Sequence, residues 1–170
     1  MSQLYFNPML TPREMVEMGV FGGCYFGVEV MNTSSCDYQE LFDYHFKDLD
    51  PSLYLGKTYK KKINKFNIKS GASYSHWYDQ GWMHDDDPYG WFEWYCKYTM
   101  GREHEDDERQ ILRWQSFCGK TGRWKKRIYI RIEETKDMNV SPRIQQSLLH
   151  WGYLVNENDH EEYKESINRY

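Results

Sequence analysis

Arg109 and Arg113 lie in the run Asp106-Asp107-Glu108-Arg109-Gln110-Ile111-Leu112-Arg113-Trp114, and this spacing places both guanidinium groups on one face of a helix. On the wall of a cleft the pair suits a phosphate or carboxylate, held in bidentate fashion. An Asp–Arg lattice tying two helices together is the competing reading, and the acidic residues alongside favour it. Arg102 follows Gly101 at a helix end, where a cation complements the dipole. Basic residues gather again in Arg123-Trp124-Lys125-Lys126-Arg127. Cations around a Trp can grip a phosphate backbone while the ring stacks on a base. Trp82, in an exposed connection, offers a second ring, and Trp124 as a core anchor is the plainer alternative. Gly119-Lys120-Thr121-Gly122 has the look of a phosphate loop, but a Walker motif needs Gly where Trp114 stands, with a strand before it. That reading fails.

Histidines and carboxylates meet at His84-Asp85-Asp86-Asp87. Hard oxygen ligands beside a His could hold a divalent ion, yet consecutive Asp side chains on a loop diverge. Asp87 before Pro88 reads as a helix N-cap. His150, near a helix end, could act as a base, but hydrogen bonding to a core group is the commoner role. A small enzyme would use His84, Asp107 and His150 in one cleft. Cys24, Cys36, Cys96 and Cys118 show no CxxC spacing, so no metal is expected, and no cofactor is implied.

The charge balance limits the partners. Net charge is −4 and the isoelectric point is near 5.9, so the overall field does not attract nucleic acid or anionic membrane. The charges are nevertheless segregated. Six basic residues and no acid lie between Lys57 and Lys69, and six more between Lys120 and Arg131. Such runs are commonly solvated faces, but two in one acidic chain point to an anionic partner. The first residues lack the pattern of a signal peptide, no apolar run is long enough to span a bilayer, and reduced thiols fit a cytoplasmic setting. Oligomeric state is not legible.

The elements that must position these groups are mainly helical. Thr11-Pro12-Arg13-Glu14 forms a capping box for a first helix. Asp37–Phe46 reads as a second helix and Ser73–Gln80 as a short one. Trp91, Trp94, Tyr95 and Tyr98, at i, i+3, i+4 and i+7, form an aromatic stripe on a helix opened by Asp87-Pro88. The next helix carries Ile111, Trp114 and Cys118 and stops at Gly119. Residues 124–135 fit either a strand, by alternation of Ile128, Ile130 and Ile132, or a helix, which its neighbours favour. Ser141-Pro142 opens a last helix with Ile144, Leu148 and Trp151 inward. With 18% Phe, Trp and Tyr, the core rests on rings whose N–H and O–H groups need partners.

Asp87–Tyr98, Asp106–Ile111 and Arg113-Trp114 resemble a family of uncharacterised proteins of bacteria, viruses, fungi and plants. That family carries the pattern GWFQWYCRY…GRR…DDERQI.RW. Phe21–Phe26, Ser141-Pro142 and Leu148–Tyr153 are also similar to it, so the resemblance spans most of positions 11–153. It implies no catalytic assignment. This chain departs from the pattern at Glu103 and Gln145, where Arg is expected, which weakens any anion site built on those two positions.

The expectation is a mainly α, single-domain bundle of five to seven helices over residues 1–155, followed by an acidic tail or short helix at 156–170. A minor β element near 24–30 or 127–133 is the alternative. Its function would be binding of a phosphate-bearing ligand, nucleic acid or nucleotide, through Arg102, Arg109, Arg113, Arg123, Trp124, Lys125 and Trp82. A small enzyme or a protein-interaction module are the other classes.

Overall fold

The computed structural model of the protein describes residues 4–28 and 38–169. Its α-helices run in the order α1 (Pro12–Glu17), α2 (Tyr38–Phe46), α3 (Tyr74–Asp79), α4 (Trp91–Thr99), α5 (Asp107–Cys118), α6 (Arg123–Thr135), α7 (Pro142–Leu149) and α8 (Glu157–Ile167). Short 3-10 turns at Pro51–Leu53 and Lys61–Ile63 punctuate the long connection after α2. No strand occurs among the described residues. Cys24–Val28 runs as turns, residues 29–30 lie outside the described residues, and 127–133 lies inside α6.

Helix α4 is the hub. It packs on α1, α2 and α5, and α5 continues the stack through α6 to α7 and α8. The aromatic stripe explains this centrality, since Trp91, Phe92, Trp94 and Tyr95 are all buried. Phe6, from the N-terminal segment, stands edge-on to Trp94, Tyr98 and Trp114 with centroids 5.2–5.5 Å apart. The buried rings at the centre find partners for their polar tips, as burial requires. Trp94 Nε1 donates to Asp107 (2.8 Å), Trp114 Nε1 to the Trp151 carbonyl (2.9 Å) and Tyr95 Oη to the Leu10 carbonyl (2.8 Å).

Local signals explain most boundaries. The Thr11–Glu14 capping box forms in full. In α6, Ile128 and Ile132 are buried whereas Ile130 is exposed, the 3.6-residue period of a helix. The tail folds as α8, started by Asn156, whose side chain accepts from Asp159 N. It lies against α6, where His160 and Tyr163 stack on Tyr129. No helix among the described residues is long and apolar enough to cross a membrane.

Two local readings are corrected. Asp87 is not an N-cap: α4 begins at Trp91 after Gly90, whose φ of 104° turns the chain into the helix. Trp151 is only partly buried beyond the end of α7, so it borders the core instead of filling it.

Candidate functional site

Between Asp86 and Arg113 a polar lattice joins α4 to α5. Asp87 is fully buried. Its Oδ1 accepts from Lys97 Nζ (3.0 Å) and Arg102 Nη1 (2.9 Å), and its Oδ2 from Arg102 Nη2 (2.6 Å). Lys97 also meets Glu93 at 3.1 Å. Glu93 in turn accepts from Tyr38 Oη (2.5 Å) and from Tyr89 N (2.9 Å). Two carboxylates therefore balance two cations inside the fold, as buried charges require. Burial pushes the Glu93 carboxyl upward, with Lys97 and Tyr38 pulling it back. Burial also opposes the Lys97 ammonium, but Glu93 and Asp87 outweigh it and raise its pKa.

Arg109 is neutralised in the same way. Its Nε and Nη2 reach the two oxygens of Asp106 at 2.5 and 2.7 Å. Burial disfavours the Asp106 carboxylate, but Arg109 more than compensates and holds its pKa low. Arg109 also donates to the Trp82 carbonyl (3.3 Å), as does Arg113 Nη1 (3.4 Å). The two arginines do share one face, and what they grip is the backbone of Trp82.

His84, Asp86 and His104 bring possible ligand atoms within 4.8 Å of one another. However, Nδ1 of His84 accepts from Asp86 N (3.1 Å), and Nδ1 of His104 accepts from Asp106 N (3.2 Å). The protons then sit on Nε2, which donates to Glu105 (3.1 Å) in one ring and to Asp86 (2.8 Å) in the other. A neutral imidazole has one ring lone pair, and in both rings a backbone N–H occupies it. The cluster ties the loop before α4 to the loop before α5. Asp107, the proposed acid of an enzymatic trio, has both oxygens engaged, by Trp94 Nε1 and His104 N.

Beyond this lattice lies a cavity of about 420 Å³, within the range for small-molecule sites. Trp91, Phe92 and Leu148 from the core line it, together with Phe21 and Tyr25 from the turns after α1. Gly71, Ala72, Trp77, Trp82 and Met83 bring in the α3 segment. Arg113 and Phe117 on α5, Trp124 on α6, and Ser147, His150 and Trp151 complete the lining, which contains no carboxylate. Gly71 holds φ at +86°, and a Cβ there would lie 3.5 Å from Cε1 and Nδ1 of His150. A side chain there would touch the His150 ring at ordinary contact distance, and the positive φ would strain it.

Arg113 stands apart from every other arginine of the lattice. Its guanidinium lies 5.7 Å from the Trp82 ring and 5.4 Å from the Trp151 ring, the geometry of a cation over aromatic faces. Nη1 donates to Gln110 Oε1 at 2.9 Å. Among the described residues, Nε and Nη2 have no hydrogen-bond partner. No carboxylate lies within 4 Å of the group either. Burial, followed by repulsion from Arg109, lowers its pKa to about 10. His150 stacks on Phe21. Its ring is partly exposed to the cavity, but Nε2 is sealed from solvent and unbonded. Burial lowers its pKa to about 4, against a weaker pull from the Val20 carbonyl, so the imidazole is neutral near pH 7.

Of the seven residues read from sequence, the structure gathers Arg113, Trp82 and Trp124 on this cavity. Arg123 joins them at the rim, its guanidinium 5.8 Å from both the Phe117 and Trp124 rings. Arg109 positions Trp82. Arg102 is a partly buried lattice residue, and Lys125 is turned away, paired with Asp159 of α8 (3.1 Å) over the Tyr153 ring. The two departures from the family pattern also stay outside. Glu103 is exposed, and Gln145 is buried with its Nε2 donating to the Met138 and Val140 carbonyls. Sequence reasoning missed Phe21, Tyr25, Trp77 and Phe117. One signal could have found Phe117, which continues the Arg109–Arg113 face by a further turn. Searches against protein-family models, curated proteins and solved structures find no match to this chain.

Proposed function

We propose that the aromatic cavity binds a ligand combining a planar ring with an anionic group, namely a nucleotide or the base and phosphate of a nucleic acid. The observation that carries this reading is Arg113. A guanidinium held in a largely apolar, carboxylate-free cavity costs free energy unless an anion joins it. Every other arginine between Asp86 and Arg113 has its carboxylate in place. Arg113 keeps Nε and Nη2 for a phosphate or carboxylate, which a guanidinium binds in bidentate fashion. Trp82, Trp124 and Trp151 supply faces on which a base can stack, a contact worth about 1–3 kcal/mol per base. Arg123 stands at the rim for a second charge. The aromatic stripe of α4 does not support a protein-interaction role, because it is already buried in the core.

Titration of the tryptophan fluorescence with each of the common nucleoside monophosphates tests the reading. At least one should quench saturably in the micromolar to millimolar range. Arg113→Met should weaken that binding tenfold or more, and Trp82→Ala should weaken it with less effect on the charge-driven part. If none of the nucleotides quenches saturably, the reading is wrong.

A further inference from the structure

Two basic surfaces adjoin segments that line the cavity, and their state of pairing separates them from the rest of the molecule. None of the six lysines from Lys57 to Lys69 has a carboxylate within 4 Å among the described residues, while Arg13, Lys97, Arg102, Arg109, Lys125, Arg131, Lys136 and Lys164 all do. Lys57 and Lys60 donate instead to the carbonyls of Gly27 and Ser52. Lys61, Lys62, Lys65 and Lys69 are exposed. Buried Asn64 fixes the loop that carries them. Its Nδ2 donates to Tyr59 Oη (2.9 Å) and the Ile68 carbonyl (2.7 Å), and its Oδ1 accepts from Phe66 N and Ile68 N. The lysines are thus displayed on a built loop. That loop enters the cavity wall directly. Ser70 Oγ accepts from Ser147 Oγ at 3.2 Å, and Gly71 follows as a lining residue.

The second surface starts at another lining segment, Phe117 and Trp124. Arg123, Lys126 and Arg127 share one face of α6 by their i, i+3, i+4 spacing. All three are exposed, and none has a carboxylate partner among the described residues. Arg123 lies beside Trp124 and Phe117, both of which line the cavity.

An acidic chain could have neutralised these two runs with its own carboxylates, as it neutralises the lattice. A mononucleotide would need only Arg113 and Arg123. Cations next to two separate segments of the wall of an aromatic cavity fit a longer anion, one that brings several phosphates together with a planar ring. We propose that the protein binds single-stranded nucleic acid, with one unstacked base in the cavity and the flanking phosphates on the Lys61–Lys69 loop and the Arg123–Arg127 face. This rests on the assignment of the cavity as the ligand site. A duplex keeps its bases stacked and paired, so it offers the phosphates without the ring.

The experiment compares, on the full chain, a labelled single strand of about ten nucleotides, in DNA and RNA form, its duplex, and the mononucleotide of the same base. The single strand should bind at least tenfold more tightly than either of the others. Its affinity should fall with salt at a log–log slope of about −3, the value for about four phosphates on a single strand. The triple variant Lys61→Glu, Lys62→Glu, Lys65→Glu should weaken the strand at least tenfold and leave mononucleotide binding unchanged. Trp82→Ala should weaken both. A strand that binds the triple variant as tightly as wild type overturns the proposal, and so does a duplex that binds as tightly as the single strand. Mononucleotide binding with no preference for a strand overturns the proposal but leaves the cavity reading intact. Failure of both ligands overturns both.

Discussion

Arg102, in the loop after α4, and Arg113, on α5, belong to opposite designs. In the lattice around Asp87, every charged group has a partner of opposite sign within hydrogen-bonding distance. In the cavity, a guanidinium sits between two indole rings with two of its nitrogens unclaimed. A buried charge with a partner is structural, since removing either partner strands the other. A desolvated charge without one is a standing cost, which the proposed ligand would offset by supplying the counter-charge. Pairing separates the roles of three arginines that residue type and spacing leave alike.

The largest effect expected from this contrast is at Asp87. Asp87→Ala would leave Arg102 without a carboxylate and Lys97 with Glu93 alone, and should cost about 3–5 kcal/mol in a denaturant titration. A loss below about 1 kcal/mol would mean that water reaches the lattice and that the contrast is false. The pair Arg102→Met and Arg113→Met sharpens it. The first leaves Asp87 short of a partner and should destabilise by about 3 kcal/mol. The second removes two cation–π contacts and the Nη1 hydrogen bonds to Gln110 and the Trp82 carbonyl but relieves a desolvated charge, so the opposing effects should leave stability within about 1 kcal/mol of wild type.

A pH series examines the other buried titratable group of the cavity. The folded pKa of His150 is lowered to about 4 from an ordinary value of 6.5. Above pH 6.5 the imidazole is neutral in both states and contributes nothing. As pH falls from about 6.5 towards 4, the unfolded chain takes up a proton that the folded ring refuses, so stability falls. Glu93 works with the opposite sign. Burial raises its pKa, so the folded state takes up its proton first as pH falls. The difference between wild type and His150→Gln isolates the histidine: the variant should lose the fall in stability between pH 6.5 and 4. Equal curves would place His150 in contact with bulk water. The smallest effect concerns Lys125. Its pairing with Asp159 is partly exposed, so Lys125→Ala should cost about 0–1 kcal/mol and leave ligand binding unchanged, unlike its neighbour Arg123.

The helical skeleton was legible because it rests on local rules. The capping box at Thr11, the stripe on α4 and the stop at Gly119 each require only a few adjacent residues. The ambiguity at 124–135 yields to tertiary contact, since α6 packs on α5, α7 and α8 with Ile128 and Ile132 buried while Ile130 meets solvent. Asp87 was misread because Asp-Pro satisfies the cap rule locally, whereas its partner Arg102 lies across α4. The cavity was least legible. Its wall draws on separate segments near Phe21, Gly71, Trp82, Trp91, Arg113 and His150. Periodicity shows that a helix face is apolar, but not that its neighbours leave part of it uncovered. Trp124 and Trp151 look the same in sequence as the buried Trp94.

Thermal denaturation of wild type and Arg113→Met, each with and without a saturating nucleoside monophosphate, tests the central claim most directly. A ligand that binds only the folded state at a hundredfold excess over its Kd stabilises by about 2.7 kcal/mol, a shift of several degrees in Tm. Wild type should show that shift. Arg113→Met should unfold at or near the wild-type temperature without ligand and gain nothing when ligand is added. An equal shift in both proteins, or a ligand-free variant that has lost several kcal/mol, would contradict the account and return Arg113 to the lattice.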